Sequence, residues 1–420
     1  MCDQSGKNRI HYAFLVLAVC CVMQGTTLGM VANCSGIYYT PVCNELGFEM
    51  AGLTLYRTIA TLCSAFFMPS VARLIRTRDI RKVLSIAALI YGLSTASMGF
   101  YHQLWNWYIG GVIQSIAGAF LMMLPAPIIL RNWFHKSTGT AISISAACSG
   151  IFGIITSAAL GRLIPLIGWR ACYIISGLIV IVCLTPLTAF VIRYSPKDMN
   201  MSAYGEDEAS AYAAQKKAGS EKKNTISLFQ ALKSPAFLLV AAVNLSLMYA
   251  TGFTAFLTSF GVSIGMTFAS ASLLSSFSLG GNTSYKFVIG NISDQAGAVK
   301  AYIGSILITM TGVVLLLIAS PVTIYGGAFF YGITLPLTTV MTPLLIAERW
   351  EGDDYGAIYS YTLTLSSILS SPSSIIFGRI FDRTGSFQLC LYIILGLFAV
   401  GLSAIIIFWN YNRREIMSQC

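Results

Sequence analysis

The sequence predicts an all-α polytopic membrane protein, with twelve transmembrane helices in two six-helix halves. Three observations lead there. Of the 420 residues, 56% are hydrophobic and only 10% charged, with a mean hydropathy of +0.72; a water-exposed globule carries about a quarter charged residues. The apolar residues collect in stretches of about 20, the length of a helix that crosses a bilayer, without the alternation of a membrane barrel. Finally, landmarks recur at one offset. Trp133 and Gly139 match Trp350 and Gly356, and Gly161-Arg162 with Gly168 matches Gly378-Arg379 with Gly385, each 217 residues on.

The spans fall near 12–36, 50–74, 83–101, 104–130, 139–163 and 169–193 in the first half. Those of the second lie near 236–261, 267–291, 299–319, 321–347, 356–380 and 387–409. The expected organisation is therefore 1–193, a linker 194–235, and 236–420. The linker carries Glu206-Asp207-Glu208 and then Lys216, Lys217, Lys222 and Lys223, a composition that buries no core. Its last part, Ile226 to Lys233, has helical spacing suited to a membrane surface. The first span is too long and too polar in its second half for a cleaved signal peptide. Small residues such as Gly110, Gly111, Gly118, Gly150, Gly153 and Gly161 let helix backbones meet closely in lipid.

Of the 26 Lys and Arg residues, 20 flank spans on the N-terminal side. Four (Arg162, Arg170, Arg379, Arg383) lie on the other side, and Arg57 and Lys286 are inside spans. This asymmetry predicts a multi-pass cell-membrane protein with both termini cytoplasmic. It also accounts for the net charge of +10 without a nucleic-acid partner, since no basic stretch sits on a soluble module. Most of the eleven cysteines sit in apolar runs; Cys34 and Cys43 could bridge, but without a diagnostic spacing. His11, His102 and His135 lie at span ends, so no nucleophile with its base is assembled and enzymatic activity is not expected. No metal or organic cofactor is implied.

Two patterns carry a family resemblance. Gly290-Asn-Ile-Ser-Asp294-Gln-Ala-Gly297, with Lys300 after it, resembles the inter-helix loop motif of the major facilitator superfamily, Gly-x-x-x-Asp-x-x-Gly. An aspartate there caps a helix start and pairs with a cation. The corresponding loop of the first half keeps a basic cluster but has Arg73 in the aspartate's place, with Asp79 as a possible substitute. The second pattern comprises Pro127, Trp133-Phe134, Lys136, Gly139, Ala141, Gly150, Gly153 and Gly168-Trp169-Arg170. Ser195-Pro196, Asp198, Tyr204-Gly205, Pro343, Tyr355-Gly356 and Tyr359 continue it. Together these resemble the monocarboxylate transporters and the related oxalate:formate exchangers.

The resemblance implies the major facilitator fold, a monomer, and transport of a small organic anion, a monocarboxylate, by rocking around a central site. Members of that group carry a cation where Lys286 stands, often with an aspartate one turn earlier; here that position is Asn282. A buried charge costs at least about 2.5 kcal/mol, so it is solvated, paired or used. Lys286 either receives a substrate carboxylate or snorkels to the inner headgroups. Arg57 is a second anion contact, a gate partner of Glu45 or Glu49, or a snorkelling arginine. The oxalate exchangers that the chain resembles carry a further cation within the eleventh span; here that span has none before Arg379, so the resemblance does not extend to a dicarboxylate site built as theirs. Tyr331, Tyr359, Tyr361 and Gln24 are further lining candidates. No carboxylate lies mid-span, so proton symport and anion exchange both stay open. The rival readings are efflux of drug-like amphipaths and a non-transporting membrane receptor.

Overall fold

A computed structural model describes residues 11–122, 124–135, 137–199, 201–205, 234–350 and 355–419. The N-terminal helices are α1 (Tyr12–Gln24), α2 (Tyr39–Leu46), α3 (Met50–Thr77), α4 (Ile80–Ser97), α5 (Leu104–Ala119), α6 (Pro125–Trp133), α7 (Thr138–Ile179) and α8 (Thr185–Phe190). The C-terminal helices are α9 (Pro235–Thr251), α10 (Leu257–Ser263), α11 (Phe268–Ala296), α12 (Ala298–Ile318), α13 (Thr323–Gly332), α14 (Thr342–Arg349), α15 (Tyr355–Ser370), α16 (Ser373–Thr384) and α17 (Gln388–Gln419). No strand ladder occurs among the described residues. Most of the linker, including the stretch from Ile226 to Lys233, lies outside them.

Eight helical stretches are long and apolar enough to cross a membrane. One of them, Thr138–Phe190, runs for 53 residues, more than one crossing needs. Gly168 divides it, at φ 81° and ψ 158°, a conformation that side chains with a Cβ rarely adopt. Adding α5 with α6, α11, and α15 with α16 gives an arrangement consistent with twelve passes, in which Tyr12 and Gln419 fall on one face. That face is called the terminus face below and its opposite the distal face.

Local chemistry sets the helix ends. Ser234 caps α9 by accepting from the Phe237 N–H at 3.2 Å, with Pro235 at the first helical position. Gly297, at φ 85°, separates α11 from α12. Below α6, the Trp133 indole N–H donates to the Arg193 carbonyl at 2.9 Å, and Tyr12 Oη donates to the Val191 carbonyl at 2.7 Å. Two backbone bonds add Tyr204 to this knot: Tyr204 N–H to the Trp133 carbonyl and His135 N–H to the Tyr204 carbonyl. Trp133 thus fastens the ends of the fourth and sixth spans and residues 201–205 together. Trp133→Phe should leave the Arg193 carbonyl unpaired, a loss of about 1–3 kcal/mol. The measurement is the melting temperature in detergent, with Trp105→Phe, on an exposed ring, as a control that changes nothing.

Lipid takes the place of water around the bundle: Phe66, Leu166, Phe190 and Val322 are all largely exposed. Inside, one apolar cluster belongs wholly to N-terminal helices. The other joins the C-terminal helices to N-terminal residues near the distal face, among them Tyr38, Tyr39, Trp107 and Trp169. Packing is therefore continuous between the two sets of helices at that face. Cys34 and Cys43 are both free; the Cys34 thiol points at the Gly29 and Gly153 carbonyls instead.

Candidate functional site

The two sets of helices meet along a seam of small residues and hydroxyls. On α3, Thr54 Oγ1 donates to the Ser374 carbonyl (3.1 Å) and Thr58 Oγ1 to the Ser371 carbonyl (2.8 Å). On α7, Ser157 donates to the Ser272 carbonyl (2.8 Å), and Ser276 of α11 donates back to Ile154 (3.2 Å). Thr40 bonds Ser259 at 2.8 Å. Gly36 and Gly378 lie so close to the Ala255 carbonyl and to Ala51 that an added Cβ would overlap backbone. These contacts lie toward the distal face. The seam is shut distally.

Arg57 stands at the closed end. It lies seven residues into α3, about 10 Å along the helix. Its guanidinium donates to the Ala32 carbonyl at 3.3 Å and to the Ser35 hydroxyl, with Tyr39 and Tyr56 nearby. Two hollows adjoin it. The larger, about 200 Å³, is walled by Tyr56, Tyr91, Gln114, Ser115, Met98 and Met122. The smaller, about 60 Å³, crosses the seam to Thr254, Ser275 and Ser278. A fixed cation with neutral oxygen partners, beside space, keeps donors free for an anion. The expected gate pairing is not formed: Glu45 instead accepts from Arg170 Nε at 2.9 Å and from the Trp169 indole at 2.6 Å.

Lys286 is half-buried on α11. Ser272, Ser276, Leu279 and Thr283 of that helix meet α7, and Lys286 continues the same face one turn beyond Thr283. It does not line either hollow beside Arg57. Asn282 is buried, and its side-chain oxygen has no hydrogen-bond partner, a state that costs about 1–3 kcal/mol if unrelieved. Gln24 donates to the Met122 carbonyl at 2.6 Å and so braces a wall of the larger hollow.

The tyrosines lie elsewhere. Tyr331 is fully buried, donates to the Ala250 carbonyl at 2.5 Å and packs against Phe253 and Phe398. Tyr359 packs at the edge of the C-terminal core, and Tyr361 is 53% exposed. None of the three lines a hollow beside Arg57.

In the loop motif, the positive φ of Gly297 accounts for a glycine there, while the Asp294 side chain lies outside the described residues. Arg73 is exposed. Asp79 accepts from the Arg81 N–H at 3.1 Å and pairs with its guanidinium at 3.0 Å. That bond holds its carboxyl below the usual carboxylate range. Asp79 is thus the N-cap of α4, a local role in place of the inter-helix latch. Sequence reasoning overlooked Gln114 and Ser115, although adjacent polar residues within the apolar α5 were a signal. It also overlooked Asp382, which accepts from the Met50 and Ala51 N–H groups. Among the described residues, no group of three His, Cys, Asp or Glu side chains could hold a metal ion.

Known proteins share this architecture. An "MFS-type transporter" of Gibberella moniliformis (strain M3125 / FGSC 7600) is 22% identical over 308 residues, spanning 70% of this chain and 66% of its own length. A bacterial homologue of the human lysosomal transporter Spinster, solved inward-facing and unoccupied, superposes with a TM-score of 0.68 at 15% identity, over 95% of this chain and 94% of its own. The nucleoside transporter NupG superposes with a TM-score of 0.72 at 14% identity, covering 96% and 100%. The sequence model of the Major Facilitator Superfamily matches residues 14–370. Helices, seam and sequence agree, and the chain belongs to the major facilitator superfamily of membrane transporters.

Proposed function

We propose that this secondary transporter moves a small organic anion, a monocarboxylate, between two six-helix halves (1–193 and 236–420) joined by the linker 194–235. The single observation that carries the reading is the placement of Arg57. Its guanidinium, with neutral oxygen partners, borders two hollows at the closed end of the seam. The carboxylate docks on Arg57, with Gln114, Ser115 and Ser278 as hydroxyl and amide partners. Lys286, on the seam-facing side of α11, is a second cation on the route toward the termini, and Asn282 orients the guest there. The excess of Lys and Arg flanking spans on the terminus face makes that face cytoplasmic, so the closed distal end is the outer one and the chain rests closed to the outside. One molecule contains the whole path, and a monomer suffices.

The methionines beside Arg57 favour a second reading, export of amphipathic molecules, because thioether walls adapt to varied apolar shapes. A thermal-shift series separates the two, since a ligand that binds the folded form raises its melting temperature. Monocarboxylates should stabilise the purified protein more than dicarboxylates or the matching neutral amides. Arg57→Gln should abolish the shift and Lys286→Gln should reduce it. Equal shifts from acids and amides, retained in Arg57→Gln, would reject the anion reading in favour of the amphipath one.

A further inference from the structure

The distal closure contains a cap shared between the two sets of helices. The first residues of α3 have no side-chain cap of their own: Glu49 occupies the N-cap position without making the bond. The carboxylate comes from the C-terminal helices instead. Asp382 Oδ1 accepts from the Met50 N–H and Oδ2 from the Ala51 N–H, both at 2.8 Å. A helix start presents unpaired N–H groups and a partial positive charge, so an anion placed there is favourable on both counts. Gly378, one turn before Asp382 on α16, brings that backbone within reach, since a Cβ there would lie 2.8 Å from the Ala51 nitrogen.

The consequence is conformational. When the distal face opens, α3 and α16 must separate, and both bonds break together. Water then replaces the carboxylate, and the first turn of α3 loses its anion. We infer that Asp382 is a gating residue: it stabilises the distal-closed state by capping α3 across the seam, and so sets how often the transporter opens distally. This role does not depend on which solute is carried.

Hydrogen exchange on the purified full-length protein, read by mass spectrometry, tests this with Asp382→Ala and Asp382→Asn. In Asp382→Ala, exchange should accelerate by about threefold to thirtyfold, the range of a lost helix cap, in residues 50–54. The same acceleration should appear in residues 36–40 and 255–263, which close the seam without touching Asp382. Asp382→Asn, which keeps one acceptor oxygen, should fall between alanine and wild type. As a control, Asp198→Ala removes an acceptor of the Ser195 N–H at the terminus face and should leave the distal segments unchanged. Acceleration confined to 50–54 would overturn the inference, because the cap would then be local. A uniform rise across both bundles would overturn it too, because the residue would then hold the fold and not the gate.

Discussion

Arg57→Gln is expected to reduce carboxylate uptake into proteoliposomes by about ten- to hundredfold, while the empty protein melts close to the wild-type temperature. The magnitude follows from one charge-assisted hydrogen bond to a desolvated carboxylate, worth about 1.5–3 kcal/mol. The preserved fold follows from the present partners of Arg57, a carbonyl and a hydroxyl. Removing the guanidinium strands no buried counter-charge, the step that makes broken buried ion pairs so damaging. Arg57→Lys should recover only part of the uptake: one compact ammonium cannot span Ala32, Ser35 and a ligand as a planar fork does. The assay uses whichever acid gives the largest thermal shift with the wild-type protein, and full uptake by the glutamine variant would remove Arg57 from the site.

The second large effect should come from Gly36→Ala. A Cβ there would stand 1.8 Å from the Ala255 carbonyl oxygen, and neither side is a flexible side chain that can turn away. Overpacking within one core typically costs about 1–3 kcal/mol. Here the colliding groups belong to opposite sides of the seam, so parting the distal face relieves the strain more readily than local compression. Uptake should fall at least about tenfold. The native Cys34 thiol, buried in wild type, should react faster with a membrane-impermeant maleimide, with the labelled site identified by peptide mapping. Gly332→Ala is the matched comparison. Its added Cβ would lie 1.9 Å from the Ser278 carbonyl, within the C-terminal helices, so it should lower stability without exposing Cys34. Unchanged labelling in Gly36→Ala would mean that the seam is not what that glycine serves.

Much of the architecture could be read from residue order because lipid imposes it locally: each apolar run, and the break at Gly168, is a contiguous pattern, and the repeat of Trp133 in Trp350 marks the second half. The site was less legible. Lys286 and Arg57 were conspicuous as charges within spans, yet only packing across the seam reveals that Arg57 adjoins Ser275 and Ser278. Glu45 was a plausible partner for Arg57 by position, but the short helix α2 that carries it directs it toward Trp169 and Arg170. Position within a span could not distinguish Tyr331, committed to Ala250, from a ring facing a hollow. Asp382 sits at the end of a span and reads as flank, because its meaning lies in the first turn of a helix far away in the chain.

One of the seam's hydroxyls has a further property. Thr54 Oγ1 lies 2.9 Å from the Met50 carbonyl of its own helix while it reaches Ser374 across the gap at 3.1 Å. A Thr54 proton released by its neighbour has a ready fallback acceptor four residues back along its own helix. At Thr54 the seam can therefore part without leaving a hydroxyl stranded, so this contact offers little resistance of its own to opening.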